Sequence, residues 1–275
     1  MNRDMAVAGQ FYPFSPEDTK QLLDSCFARG CGAPGKNKDD SLVSLVCPHA
    51  GHIYSGWVAA YSFKELVEHS KAKTFVIVSP NHTGLGEMLS VYPGGEWETP
   101  LGNVPVNEKL AKAIAKENDF AKLDTQAHKF EHSIEVQLPF LQYVLEGSKF
   151  DIVPITTMLQ DLETAVSLAK TIYGHRKDIL LIASSDFTHH EPYAKAMAKD
   201  LDAIKSINAL DSQGFISKIK ENKLSICGYG PILTAMEYAK LCGAKKGELL
   251  KYATSGEVSS DRRRVVGYGA ISFRR

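Results

Sequence analysis

Residues Leu42–Tyr54 read Leu-Val-Ser-Leu-Val-Cys-Pro-His-Ala-Gly-His-Ile-Tyr, and this stretch decides the fold. Leu42 to Cys47 carry no charge and are mostly leucyl or β-branched, which predicts a strand buried on both faces. Pro48 ends the strand, because proline has no N–H to give to a ladder. His49 and His52 follow at once, around Gly51. The same grammar recurs twice: Lys73–Ser79 runs into Pro80-Asn81-His82, and Asp178–Ser184 runs into Ser185-Asp186-Phe187-Thr188-His189-His190. As parallel strands of one sheet, the three would bring their histidines to one edge. In open α/β sheets the carboxyl edge is where ligands bind.

Outward from these strands, helical and strand patterns alternate. Ser15 is a good N-cap, Pro16 suits the first helical position, and a helix is predicted to about Arg29. Further helices are predicted over Gly56–His69, from the cap Asn107 through Glu117, and over Leu162–Tyr173, Tyr193–Asn208 and Gln213–Asn222. Strands are predicted over Met88–Tyr92, Phe150–Ile155, Glu248–Ser255 and Val265–Phe273. Gly94–Val106, with Trp97 and Pro100, is expected to be an irregular loop peripheral to the chemistry. The whole, residues 1–275, is expected to be a single three-layer α/β/α domain around a largely parallel or mixed sheet.

Composition narrows the function. Lys+Arg and Asp+Glu are both 32, so the formal net charge is zero. Nucleic-acid binding, which needs a basic footprint, is not expected. Arg262-Arg263-Arg264 is read as a solvated turn. No stretch approaches the ~20 apolar residues of a membrane span, and the N-terminus lacks the apolar core of a signal peptide. The five cysteines are too few and too irregular for a disulfide framework. A cytoplasmic protein is the expectation.

His49 and His82, at matching strand exits, point to a metal, since imidazole is the commonest ligand. Asp186, Glu131, Glu135 and Cys227 are the candidates for a third ligand. Cys227 precedes a predicted helix, a position that lowers a thiol's pKa. Asp186 beside His189 is placed to orient it. His132 and Glu135, three apart, would share a helical face. No Gly-x-Ser-x-Gly elbow, Walker loop or dinucleotide fingerprint is present.

Ala8-Gly9-Gln10-Phe11-Tyr12-Pro13, Pro48-His49-Ala50-Gly51, Ser79-Pro80-Asn81-His82, Glu131-His132-Ser133-Ile134-Glu135, Ser184-Ser185-Asp186-Phe187-Thr188-His189 and Ile226-Cys227-Gly228 together resemble the Memo family (mediator of ErbB-driven cell motility). The likeness runs on to Val266-Gly267-Tyr268-Gly269-Ala270. That family is similar in fold to the class III extradiol ring-cleavage (LigB-like) dioxygenases, which are non-haem iron enzymes. The resemblance implies His49, His82 and Cys227 as metal ligands, and His189 as base with His132 as acid, oriented by Asp186. His52, Tyr54, Glu131 and Glu135 would face substrate. Cys227 stands where the dioxygenases use a carboxylate; a thiolate suits iron or copper, with zinc the alternative. The expected function is a metal-dependent oxidoreductase acting on a small molecule. The rival is a non-catalytic adaptor that takes a peptide or small ligand in the same pocket, and metal-assisted hydrolysis is a third possibility.

Overall fold

The computed structural model describes residues 2–275. In chain order the elements begin with β1 (Asn2–Arg3), α1 (Pro16–Arg29), β2 (Leu42–Cys47), α2 (His52–His69), β3 (Thr74–Pro80) and β4 (Leu89–Val91). Next come β5 (Glu96–Trp97), β6 (Val104–Pro105), α3 (Glu108–Glu117), β7 (Ala121–Leu123), α4 (Leu138–Val144), β8 (Asp151–Thr157), α5 (Leu162–Gly174) and β9 (Ile179–Ser184). The chain closes with β10 (His189–Glu191), α6 (Tyr193–Asn208), α7 (Ser212–Glu221), α8 (Tyr229–Leu241), β11 (Gly247–Thr254), α9 (Gly256–Ser259) and β12 (Val265–Arg274).

The main sheet runs β10-β12-β2-β9-β3-β8-β4-β7, with β11 paired to β12. Its centre is parallel: Cys47 is opposite Ser184, Val78 opposite Ala183, and Pro80 opposite Thr157. β2, β9 and β3 therefore end side by side. At the flanks β12 is antiparallel to β2 and β4 to β8, so the sheet is mixed.

Side-chain alternation builds the two outer layers. Phe75, Ile77, Leu180 and Ile182 face α1, α2 and α4, through Leu23, Phe27, Phe63 and Phe140. Val76, Val78, Leu181 and Ala183 face the opposite way, onto Ile114, Leu168, Ile204 and Leu233. Burying each large side chain is worth about 1.5–3 kcal/mol, so the central strands are fixed from both sides.

Local chemistry explains most helix starts. Ser15 accepts from the Asp18 N–H, with Pro16 next, and Asn107 accepts from the Leu110 N–H. Pro139 sits in the first turn of α4, where no helical N–H is required, after a 3₁₀ turn over Glu135–Gln137. Two expectations are corrected. α2 starts at His52 rather than Gly56, its N-cap Gly51 offering no side-chain hydrogen bond. The Gly94–Val106 segment is not irregular throughout: β5 pairs with β1 on one side and β6 on the other, in a small second sheet. Trp97 there is wholly buried, with the Arg3 guanidinium 4.1 Å above its ring.

Candidate metal centre

His49, His82 and Cys227 come together: one ligand atom from each lies within 4.8 Å of the others. His49 leaves the end of β2, His82 leaves β3, and Cys227 approaches from the turn before α8. Cys227 Sγ is 3.1 Å from His49 Nε2. That approach requires Gly228. A Cβ there would lie 2.6 Å from the Ser184 carbonyl oxygen and 2.7 Å from Ser185 Cβ, backbone and packed side chain that cannot yield cheaply. The Gly228 N–H donates instead to Ser185 Oγ at 3.0 Å.

Each histidine is held through its other edge. His82 donates from its backbone N–H (2.5 Å) and from Nδ1 (2.9 Å) to the two oxygens of Glu131. Glu131 also accepts from the N–H and hydroxyl of Ser133 at 3.0 and 2.7 Å. Burial opposes ionisation of Glu131, but the hydrogen bond and charge of His82 prevail and hold its carboxyl at about 2. His82 in turn is pulled down by burial and lifted more by Glu131, for a net rise. With Nδ1 committed to Glu131, Nε2 is the free ligand atom. His49 is buried beside other imidazoles, and both effects push its pKa well down, so it stays neutral.

Asp186 holds the back wall. Its carboxylate accepts from the His49 N–H at 2.8 Å, and its own N–H points to Cys227 Sγ at 3.3 Å. Burial pushes the Asp186 carboxyl up to about 7. Burial and this neighbouring carboxylate also raise the Cys227 thiol. The start of α8 therefore does not make Cys227 a ready thiolate, contrary to the sequence expectation.

His132 packs against this group, its ring centroid 4.7 Å from that of His82 and 5.4 Å from that of His49, and 4.6 Å from that of Phe11. Burial pushes it down to about 4, so at neutral pH it is an uncharged imidazole and not a resident acid. Half-buried His189 donates its backbone N–H to Ser225 Oγ (2.8 Å), and its Nδ1 faces the Ser225 carbonyl (2.8 Å). A carbonyl only accepts, so Nδ1 carries the proton and Nε2 is left free. Ser225, not Asp186, orients His189.

Three residues expected to face substrate do not. His52 is buried, its Nε2 donating to the Val136 carbonyl at 2.8 Å and its ring stacked on Tyr12. Glu135 is buried and fully engaged, by Arg3 (2.6 Å), the Ala6 and Val7 N–H groups, and Tyr12 Oη. It lies in a 3₁₀ turn that His132 precedes, so the two do not share a helical face. Glu131 is buried as the anchor of His82. Tyr54 is 39% exposed on the first turn of α2. Arg3 was missed altogether: it ties Glu135 to the carbonyls of His128 and Glu131, contacts more than a hundred residues away in sequence.

Fold and site together define a three-layer α/β protein with two histidines and a cysteine gathered at the carboxyl edge of its parallel strands. A sequence profile described as "Memo-like protein" matches residues 3–272, and the chain belongs to the Memo family. It is 44% identical over 284 residues to a MEMO1 family protein of Methanopyrus kandleri, covering 100% of both chains. A MEMO1 family protein of Desulfurococcus amylolyticus is 44% identical over 281 residues, 98% of each. Among solved structures, an uncharacterized protein of Escherichia coli K12 superimposes with a TM-score of 0.59 at 14% identity, covering 84% of this chain and 99% of that one, which is a likeness of fold. No helix among the described residues is long and apolar enough to cross a membrane.

Proposed function

We propose that this protein is a metal-dependent oxidoreductase of the Memo family, with a single metal ion held by His49, His82 and Cys227. One observation carries the reading: the three ligand atoms lie within 4.8 Å, with the Nδ1 proton of His82 already committed to Glu131. The donor set fits, since two imidazoles and a thiol suit iron, copper or zinc. Iron or copper would supply redox chemistry there, and zinc Lewis acidity for hydrolysis.

The chain's own residues do the rest. Glu131 orients His82, Asp186 fixes the backbone of His49, and Gly228 allows Cys227 to close in. His189, its Nδ1 proton on Ser225, offers Nε2 as a base to a small molecule entering beside the ligands. Uncharged His132, flanked by Phe11, contributes a hydrogen-bonding edge and shields the ligands from water.

A second reading, a binding module for a peptide or small ligand, is favoured by the contact between Cys227 and His49. At 3.1 Å the thiol can donate to Nε2, so the site satisfies itself without metal.

Elemental analysis of protein purified without added metal, beside Cys227→Ser and His49→Ala, separates the readings. Near-stoichiometric iron or copper in the parent, lost in both variants, is the expected result. Zinc would move the reading to hydrolysis. No metal, and no uptake on titration, would leave the binding module.

A further inference from the structure

The edge of the sheet opposite the metal centre carries a feature that the chemistry above does not use. Where β2 and β9 begin, a cavity of about 500 Å³ opens between the C-terminal ends of α2, α5 and α8. A second cavity of about 420 Å³ adjoins it, the two sharing Ser70, Lys71 and Ala72 as a common wall. The floor of the first is apolar, from Leu42, Val43, Ile179 and Tyr238.

The walls are strongly cationic for a chain whose net charge is zero. Lys71, Arg176, Lys177 and Arg275 line the first cavity, and Lys73 and Lys149 join Lys71 around the second. Among the lining side chains only Asp40 and Asp178 oppose them, and the α-carboxylate of Arg275 adds a third negative charge. Asp40 is already engaged: it accepts from the Lys71 N–H at 2.9 Å and lies 3.6 Å from the Arg275 guanidinium. Arg176 rests on the Tyr173 ring at 4.3 Å. Lys71, Lys73, Lys149 and Lys177 make no ion pair among the described residues.

Helix ends account for part of this charge. A helix C-terminus carries about half a negative charge, so three of them with the three carboxylates answer roughly four to five of the six cations. A surplus of about one to two positive charges remains, spread along a trough rather than focused at one point.

We propose that this trough is a binding site for a phosphate chain: the cations grip successive phosphates, and the apolar floor under Tyr238 accepts whatever the chain carries. Arg176 and Arg275 supply planar guanidinium donors suited to phosphate oxygens, and the lysines supply point charges along the line. Inorganic polyphosphate and a nucleoside triphosphate share this chemistry and differ only in what reaches the floor.

Calorimetric titration of the full chain with inorganic tripolyphosphate, and separately with ATP, tests the site. Tripolyphosphate should bind, and binding should weaken as salt rises from about 50 to 300 mM. The double variant Lys71→Gln/Arg176→Gln should lose about tenfold or more in affinity. A charge-matched control on exposed faces elsewhere, Lys116→Gln/Lys220→Gln, should bind as the parent does. ATP binding tighter than tripolyphosphate would identify a nucleotide as the source, and equal affinity an inorganic chain. The proposal is overturned if the parent binds neither probe, or if the control pair loses as much as the trough pair. These residues are exposed and far from the metal ligands, so thermal unfolding and metal content should match the parent in both variants.

Discussion

The hydroxyl oxygen of Ser184 stands 3.0 Å from Nδ1 of His49 and can only accept from it. Its single proton is directed to the Ser133 carbonyl at 2.6 Å, and Gln137 Nε2 donates to it at 2.9 Å. Nδ1 of His49 therefore carries the proton, and the Nε2 lone pair faces Cys227. Ser184→Ala removes that acceptor and leaves two buried donors unpaired. A stability loss of about 1–3 kcal/mol is expected, with metal affinity falling by roughly 10–100-fold. Denaturant midpoints and metal titration measure the two. Unchanged affinity would show that Ser184 does not set the tautomer.

Glu131 does for His82 what Ser184 does for His49. The groups bonded to it all donate: two N–H groups of His82, and the N–H and hydroxyl of Ser133, with His132 Nδ1 3.4 Å away. Glu131→Gln keeps the shape but turns an N–H₂ toward those donors. The expected result is a roughly 10–100-fold loss of metal affinity at pH 7 with the fold retained. Parent-like affinity would remove Glu131 from the support of the centre.

Glu135 should behave in the opposite way. Its carboxylate and Arg3 are 0% and 3% exposed, a buried pair at 2.6 Å. Glu135→Ala leaves the guanidinium buried without a counter-charge, which costs about 3–5 kcal/mol. The milder Glu135→Gln should destabilise less and leave metal affinity within a few-fold of the parent. Joint measurement of unfolding and metal binding decides it, and metal loss without destabilisation would place Glu135 in the centre after all.

The difference between these two carboxylates, four residues apart, shows where sequence reading stops. The β2, β9 and β3 strands were legible because each is an unbroken apolar run ending in a local histidine motif, so convergence at one edge followed from topology. Capped helices were legible too, since Ser15 and Asn107 announce them. The start of α2 was hidden, because Gly51 gives no capping side chain. Ser133 is a local partner of Glu131, but nothing nearby in sequence announces His82 to Glu131 or Arg3 to Glu135; both arrive through the fold. His52 misled for the same reason: an imidazole near a metal motif is turned inward by Tyr12 and Val136, residues no spacing rule connects to it. Trp97, expected to be peripheral to the chemistry, is the buried platform for Arg3, a packing role that its glycine-rich loop does not announce.

The pH dependence of metal binding follows from which ligands hold protons before the metal arrives. Cys227 is raised above its ordinary ~8.5 by burial and the Asp186 carboxylate, so it is a thiol across the neutral range. His82 is raised above ~6.5, burial pulling it down and Glu131 lifting it more, whereas His49 is held well below and stays neutral. Binding must displace the Cys227 proton at every neutral pH, and the His82 proton as well once pH falls below its pKa. Protons compete with the metal, so affinity falls as pH falls. The parent should lose about tenfold per pH unit above the His82 pKa and up to about a hundredfold per unit below it. In Cys227→Ser the thiol proton is gone, so affinity should be weaker but nearly flat above the His82 pKa, with a slope of about tenfold per unit below. Asp186, at about 7, titrates in both proteins, and the ratio of parent to variant affinity largely cancels it. Chelator-competition titrations from pH 5.5 to 9 measure both curves. A Cys227→Ser protein whose slope above pH 8 matches the parent's would remove the thiol from the ligand set.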